Sequence, residues 1–286
     1  MKITIAPCSG FCFGVKRAIS MAQQALEKNK GKRVSSLGHI IHNSQAVERL
    51  SQEGLASVKD VGDIEAGVVV ISSHGTSPAV LEDIRARGLE IVDATCPYVM
   101  SAQRTVTALA QEGYTVIIFG DDRHPEVRSL VGCANGRAIV VKDIEQLRKV
   151  PAIAAKIGLV SQTTQAREEY LLMIAEVLTR EFAEVRIVNT ICNDTRLRQE
   201  SAVRLARECD VMIVAGGRMS ANTKRLFELC SKICKNTYHV ETASELKAAW
   251  FENKERIGIA SGASTPDWVI EEISTTITGA RFTPQV

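Results

Sequence analysis

Three times along the chain a β-branched strand runs up to a cysteine and a helix follows it: ITIAPCSGFCFGV at Cys12, IVDATCPYVM at Cys96 and VRIVNTICND at Cys192. Behind Cys12, Val15, Ala18, Ile19, Ala22 and Leu26 fall at helical spacing. Val99, Ala102, Val106 and Leu109 do so behind Cys96, and Ala202, Val203, Leu205 and Ala206 close the third helix. A second strand then enters a polar helix start in SLGHIIHNSQAVERL, TVIIFGDDRHPEVRSL and VMIVAGGRMSANTKRL. It places His42, His124 and Ser220 at 30, 28 and 28 residues past the cysteine. A further strand in each copy, VVVISSHGTSPAV, IGLVSQTTQAREEY and IGIASGASTPDWVI, ends at His74, Thr163 and Ser264. Between these two strands lie SVKDVGDI, VVKDIEQL and HVETASEL, each a short edge strand turning into a helix.

Self-similarity at a period of about 95 residues, with strands and helices alternating, restricts the fold to an α/β class of three similar lobes with small parallel sheets. The expected arrangement is pseudo-threefold around a central cavity. The expected bounds are 14–96, 97–192 and 193–286, with 1–13 an N-terminal strand carrying the first cysteine. The pattern leaves open whether each cysteine strand pairs with the lobe before it or the one after.

The 286 residues are 45% hydrophobic, enough for a sizeable core, but no apolar run approaches the ~18 residues a membrane span needs. ITIAP after Lys2 is too short for a signal-peptide core, so a cytoplasmic location is expected. Thirty-five basic and 33 acidic residues nearly cancel, and no basic-aromatic block suggests a nucleic-acid face. Eight cysteines are too sparse for a disulfide scaffold in a chain this long, which leaves metal ligation or burial.

In open parallel sheets, ligands collect outside the carboxyl ends of the strands, where every distinctive residue of this chain is placed. Lobes packed with those ends inward would bring Cys12, Cys96 and Cys192 together. Structural zinc normally takes four protein ligands, often as C-x2-C pairs, and the chain has no such pair. Three thiolates with one position open suit a 4Fe-4S cluster whose fourth iron binds substrate. A single cysteine is more often a buried small hydrophobe, and Cys133, Cys209, Cys230 and Cys234 are read as packing; the threefold equivalence of the other three argues for ligation.

The six helix starts expected after His42, His74, His124, Thr163, Ser220 and Ser264 would offer N–H groups and positive dipole ends to an anion, most naturally phosphate. Taken singly, Thr163, Ser220, Asn222 and Ser264 read as N-caps, and the histidines as core or surface groups; as a set they make a polar, ionisable cavity. Glu126, in the first turn after His124, could simply favour a helix dipole. Beside a dry cavity and within reach of Thr163, it could instead pass protons with a raised pKa. Two rival classes stand beside this reading. One is a zinc-stabilised regulatory protein. The other is a phosphate- or nucleotide-binding module, although neither G-x-G-x-x-G nor G-x4-G-K-[ST] occurs.

GFCFGV, His42-Asn43, SSHG, DATCP, HPEV, SQTT, ICNDTRLRQ, Ser220-Ala221-Asn222 and SGASTPD together resemble the LytB (IspH) family of 4-hydroxy-3-methylbut-2-enyl diphosphate reductases, from about residue 3 to residue 275. The resemblance implies a two-electron oxidoreductase of the non-mevalonate (MEP) isoprenoid pathway. Such an enzyme dehydroxylates that allylic diphosphate to isopentenyl and dimethylallyl diphosphate. It further implies Cys12, Cys96 and Cys192 as the three cluster ligands and the fourth iron as the place where the substrate hydroxyl binds. His42, His74, His124, Ser220, Asn222 and Ser264 would hold the diphosphate, Thr163 would stand near the hydroxyl end, and Glu126, Thr163 and His124 would serve catalysis. A flavodoxin or ferredoxin type donor would bring the electrons; no nucleic acid or membrane partner is implied. Two departures are visible: Ala221 stands where many members have serine, and Phe13 replaces the small residue usual in GFCAGV.

Overall fold

The computed structural model describes residues 1–151 and 156–279; residues 152–155 and the last stretch of the expected third lobe, 280–286, lie outside the described residues. The strands are β1 Lys2–Ile5, β2 Val34–Leu37, β3 Ala56–Val58, β4 Val68–Ile71, β5 Glu90–Asp93, β6 Thr115–Phe119, β7 Ala138–Val141, β8 Lys156–Ser161, β9 Glu184–Ile187, β10 Val211–Ala215, β11 Thr237–Val240 and β12 Arg256–Ser261. The helices are α1 Phe13–Lys28, α2 Ser44–Gln52, α3 Pro78–Ala86, α4 Pro97–Gln111, α5 Pro125–Cys133, α6 Ile144–Lys149, α7 Arg167–Leu178, α8 Asn193–Glu208, α9 Ala221–Ser231 and α10 Asp267–Gly279. No helix among the described residues is long and apolar enough to cross a membrane.

The strands form three parallel four-stranded sheets, ordered β3-β2-β4-β5, β7-β6-β8-β9 and β11-β10-β12-β1. The order is the same in all three, and the strand leading to a cysteine always occupies the same edge. β5 pairs with β4 (Val68 opposite Glu90), β9 with β8 (Lys156 opposite Glu184) and β1 with β12 (Lys2 opposite Arg256). Each cysteine strand therefore completes the sheet before it, and the first strand of the chain completes the last sheet.

By packing, the chain divides into two compact units: Met1–Cys12 with His42–Ala46 and Asn193–Val286, and Phe13–Ile41 with Val47–Cys192. In the second unit, β6 shows why an uninterrupted apolar strand forms. Val116 and Ile118 pack with Val106, Leu109 and Leu130 of α4 and α5 on one face. Ile117 and Phe119 pack with Leu147, Tyr170 and Met173 of α6 and α7 on the other. Side chains alternate across a strand, so a sheet covered on both faces needs apolar residues at every position. Strand β10 of the first unit repeats this, with Val211, Ile213 and Ala215 on one side and Met212 and Val214 on the other.

Glycine permits a close helix approach to the sheet in each unit: a Cβ at Gly158 would lie 2.9 Å from Leu109 Cδ1 of α4, and one at the equivalent Gly258 3.0 Å from Leu205 Cγ of α8. Of the cysteines read as packing, Cys133, Cys230 and Cys234 are buried. Cys209 is half-buried, its Sγ 3.9 Å from Met212 Sδ.

Candidate active site

The three repeated cysteines meet the same local backbone. The N–H of Cys12 donates to Ala263 O, that of Cys96 to Ser73 O and that of Cys192 to Thr163 O, each at 3.0 Å. Every cysteine is thus tied to the loop that leaves the neighbouring strand, so sheet register fixes where its thiol begins. None of the three is in a disulfide, and all are partly exposed. Burial raises the thiol pKa of Cys96, while the N–H groups of Tyr98 and Val99 at the start of α4 hydrogen-bond to it and oppose the rise. Soft donors with N–H groups directed at sulfur suit a metal held as thiolate, and these residues fit an iron-sulfur centre on donor chemistry.

The shared hydrogen bonds also reset the alignment of the three copies. Ser73, Thr163 and Ala263 are equivalent, so the counterpart of His74 and Ser264 is Thr164, and Thr163 stands one residue earlier than its spacing suggested. The six expected helix starts divide as well. His124 and Ser220 are N-caps, of α5 and α9: His124 Nδ1 accepts from Glu126 N at 3.2 Å, and Ser220 Oγ accepts from Thr223 N at 3.3 Å. His42 precedes the first turn of α2, where Asn43 Oδ1 takes the N–H of Ala46. After His74, Thr163 and Ser264 no helix begins at once, which corrects the sequence expectation. A turn closes first (Gly75 N to Ser72 O, Gln165 N to Gln162 O, Thr265 N to Gly262 O), and α3, α7 and α10 start only at Pro78, Arg167 and Asp267. The reason is local: once the last strand residue has paired, these polar loops turn back on their own backbone before a helix can nucleate.

Within the second unit, Glu126 on α5 faces Thr163 beyond β8. Its Oε1 accepts from Thr163 N at 2.6 Å and its Oε2 from Thr163 Oγ1 at 2.8 Å, with the residue 2% exposed. Burial pushes the carboxyl up to about 7, even though both Thr163 bonds favour the ionised form. Next to it, the ring of His124 meets that of His74 edge-on with centroids 5.4 Å apart. The bond accepted at Nδ1 makes Nε2 the proton-bearing nitrogen of a neutral His124 ring, a donor suited to an anionic oxygen. Gln103 of α4, which sequence reasoning passed over, donates to Thr76 O at 3.2 Å and to Ser129 Oγ at 3.0 Å. It thereby fastens the His74 loop to α4 and α5.

In the first unit, Asn222 is buried in the first turn of α9, and neither Oδ1 nor Nδ2 has a hydrogen-bond partner among the described residues. A buried amide without partners costs free energy that a polar ligand would recover. Ser220, having accepted the Thr223 N–H, keeps its own O–H to donate. Ser264 Oγ donates to His42 O at 3.0 Å. Arg198 was also missed. It is buried, pairs with Asp194 at 3.1 Å and donates to Ser261 O at 3.2 Å, while Ser261 Oγ accepts the Gly10 N–H at 2.8 Å. The loop carrying Cys12 is therefore braced through β12 from α8. The i, i+4 pairing of Asp194 with Arg198 was the available signal, but an exposed helix pair looks the same in sequence.

Fold and site together define a triplicated parallel α/β protein with thiols, imidazoles, hydroxyls and one buried acid standing beyond its strand ends. The chain belongs to the LytB protein family, whose model matches residues 3–278. It is 49% identical over 273 residues to 4-hydroxy-3-methylbut-2-enyl diphosphate reductase of Geobacter sulfurreducens, covering 96% of this chain and 95% of that protein. The reductase of the same name from Aquifex aeolicus is 44% identical over 278 residues, covering 96% and 95%. Among solved structures, one of (E)-4-hydroxy-3-methyl-but-2-enyl diphosphate reductase, the terminal enzyme of the non-mevalonate pathway, is similar with TM-score 0.70 and 43% identity over 97% of this chain and 99% of that one. The E-1-hydroxy-2-methyl-but-2-enyl-4-diphosphate reductase of Plasmodium falciparum is similar with TM-score 0.89 and 26% identity, covering 99% and 88%.

Proposed function

We infer that this protein reduces 4-hydroxy-3-methylbut-2-enyl diphosphate to isopentenyl and dimethylallyl diphosphate with loss of water, the terminal step of the non-mevalonate pathway. Family membership over nearly the whole chain supports the reaction. The observation that carries the site assignment is the buried Glu126 clasped by both donors of Thr163, one residue pair able to hold and release a proton in a dry place.

Cys12, Cys96 and Cys192 would hold a 4Fe-4S cluster, with the three-lobe division 14–96, 97–192 and 193–286, the strand of residues 1–13 and the pseudo-threefold arrangement forming part of the same proposal. Bound there, such a cluster supplies low-potential electrons and one Lewis-acidic iron open to the substrate hydroxyl. The remaining work falls to the side chains. His42, His74, His124, Ser220, Asn222 and Ser264 bind the diphosphate: His124 Nε2–H and the Ser220 O–H can donate to its oxygens, and the Asn222 amide gains the partners it lacks.

Glu126 with a pKa of about 7 is poised to be protonated at neutral pH, when it can donate to Thr163 Oγ and free the Thr163 O–H to donate in turn. That relay delivers a proton to the departing hydroxyl, which leaves as water while two electrons enter the carbon frame. A second proton completes the product at either end of the allylic system. The Cys192 N–H donates to the Thr163 carbonyl, which supports a relay beside a proposed ligand.

The deciding experiment is iron and acid-labile sulfide per chain after anaerobic purification, with the visible spectrum followed as reductant and then substrate are added. Near-equal iron and sulfide close to four each, bleached by reductant and restored by the diphosphate, is the expected outcome. A colourless protein after attempted reconstitution would withdraw the reductase.

A further inference from the structure

Two aromatic side chains are exposed close to Cys96, and neither has a part in the chemistry above. Phe13, the first residue of α1, is 66% exposed, and Tyr98, in the first turn of α4, is 44% exposed. Both belong to the second unit. Arg17, one turn along α1 from Phe13, ties them together: its Nη1 donates to Thr95 O at 2.9 Å, immediately before Cys96. Lys16 is exposed beside it. Residues 13–26 and 94–111, which carry these side chains, contain no aspartate or glutamate, and Asp93, just before the second stretch, is engaged by the Thr95 N–H and hydroxyl.

We propose that the face formed by Phe13, Lys16, Arg17 and Tyr98 docks an acidic one-electron carrier protein. The inference rests on the reductase reading, since that reaction consumes two electrons. G-x-G-x-x-G does not occur in the chain, and the electrons are assigned to a separate carrier. Electron transfer falls off steeply with distance, so a carrier must seat against surface close to a ligand thiol. Cys96 is partly exposed, and the backbone N–H of the exposed Tyr98 hydrogen-bonds to its sulfur, so this surface meets the ligand directly. Aromatic side chains give contact area at low entropic cost, while uncompensated cations steer an acidic partner and exclude a basic one. Such an encounter is fast, transient and sensitive to salt.

The test uses an oxidised flavodoxin, an acidic FMN protein, as the probe for the holoenzyme, with binding read from FMN anisotropy at low and at high salt. Phe13→Ala combined with Lys16→Glu is expected to weaken binding about tenfold at low salt and to flatten its salt dependence. The KM for reduced flavodoxin should rise by a similar factor while turnover driven by methyl viologen is unchanged. Lys59→Glu, beyond β3 at the opposite edge of the same sheet as β5, is the control and should leave both readouts within about twofold. Unaltered binding in the double variant, or an equal loss from Lys59→Glu, would overturn the docking face and leave the reductase standing. A loss of viologen-driven turnover in the double variant would assign these residues to structure instead. If wild-type holoenzyme turned over substrate with neither donor, the reductase reading itself would fall and the docking face with it.

Discussion

Glu126→Gln separates the energetics of the buried acid from its chemistry. Burial moves the pKa of this carboxyl from 4.5 to about 7, and every tenfold gain in proton affinity is worth about 1.4 kcal/mol. The folded state retains the proton at a pH where the unfolded chain has already lost it. The native protein is therefore favoured at low pH, and that advantage drains away as pH rises from about 4.5 through about 7, after which the full cost of a buried carboxylate remains. Between pH 5 and pH 8 the wild-type protein should lose about 2 to 3 kcal/mol through this one group. Glutamine keeps an oxygen for the Thr163 N–H and an amide for the Thr163 hydroxyl but does not titrate. The stability difference between the two proteins should thus swing by about 2 to 3 kcal/mol towards the variant across that range. Urea unfolding of the metal-free proteins at several pH values, followed by far-UV circular dichroism, measures it. Trp250 and Trp268 both lie in the other unit and would report the wrong one. Parallel pH profiles for the two proteins would refute a raised Glu126 pKa. In the cluster-loaded enzyme, turnover should drop by at least about a hundredfold with substrate binding retained, since the relay has lost its proton. Wild-type turnover should decline above pH of about 7 as Glu126 ionises.

Replacing any one of Cys12, Cys96 or Cys192 by serine should remove most of the iron per chain, whereas Cys230→Ser should not, by metal analysis of anaerobic preparations. Asn222→Ala is expected to raise the KM for the diphosphate about tenfold or more with the fold intact, because a buried amide is lost from the ligand shell; steady-state kinetics would show it, and an unchanged KM would remove Asn222 from the site. Ala221→Ser should lower that KM if an additional hydroxyl can reach the diphosphate. Arg198→Met should destabilise the first unit by about 2 kcal/mol, less than for a fully buried pair because Asp194 stays in contact with water. Gly262→Ala would drive a methyl into Thr223 Oγ1 and should cost about 1–3 kcal/mol in a thermal melt, reduced when Thr223→Ala is added.

Much of this protein is written in short-range pattern. The repeat of cysteine strand, helix, second strand and polar turn dictated a parallel α/β fold in three copies, because period-2 and 3.6-residue apolar spacing need only neighbouring residues to be read. The same spacing singled out the cysteines, histidines, hydroxyls and Glu126, since parallel strands deliver their loops to one end. Three matters required the tertiary structure. Pairing of each cysteine strand with the preceding sheet depends on which edge is exposed, and β1 must find β12 across almost the entire chain. The helix starts after His74, Thr163 and Ser264 moved three residues or more because loop backbone groups found closer partners in their own turns. The proton-holding character of Glu126 came from packing. A glutamate in the first turn of a helix is ordinarily a solvated group favouring the dipole. Desolvation, and the convergence of both Thr163 donors from a loop 37 residues away, are properties of the folded interior that local sequence cannot express.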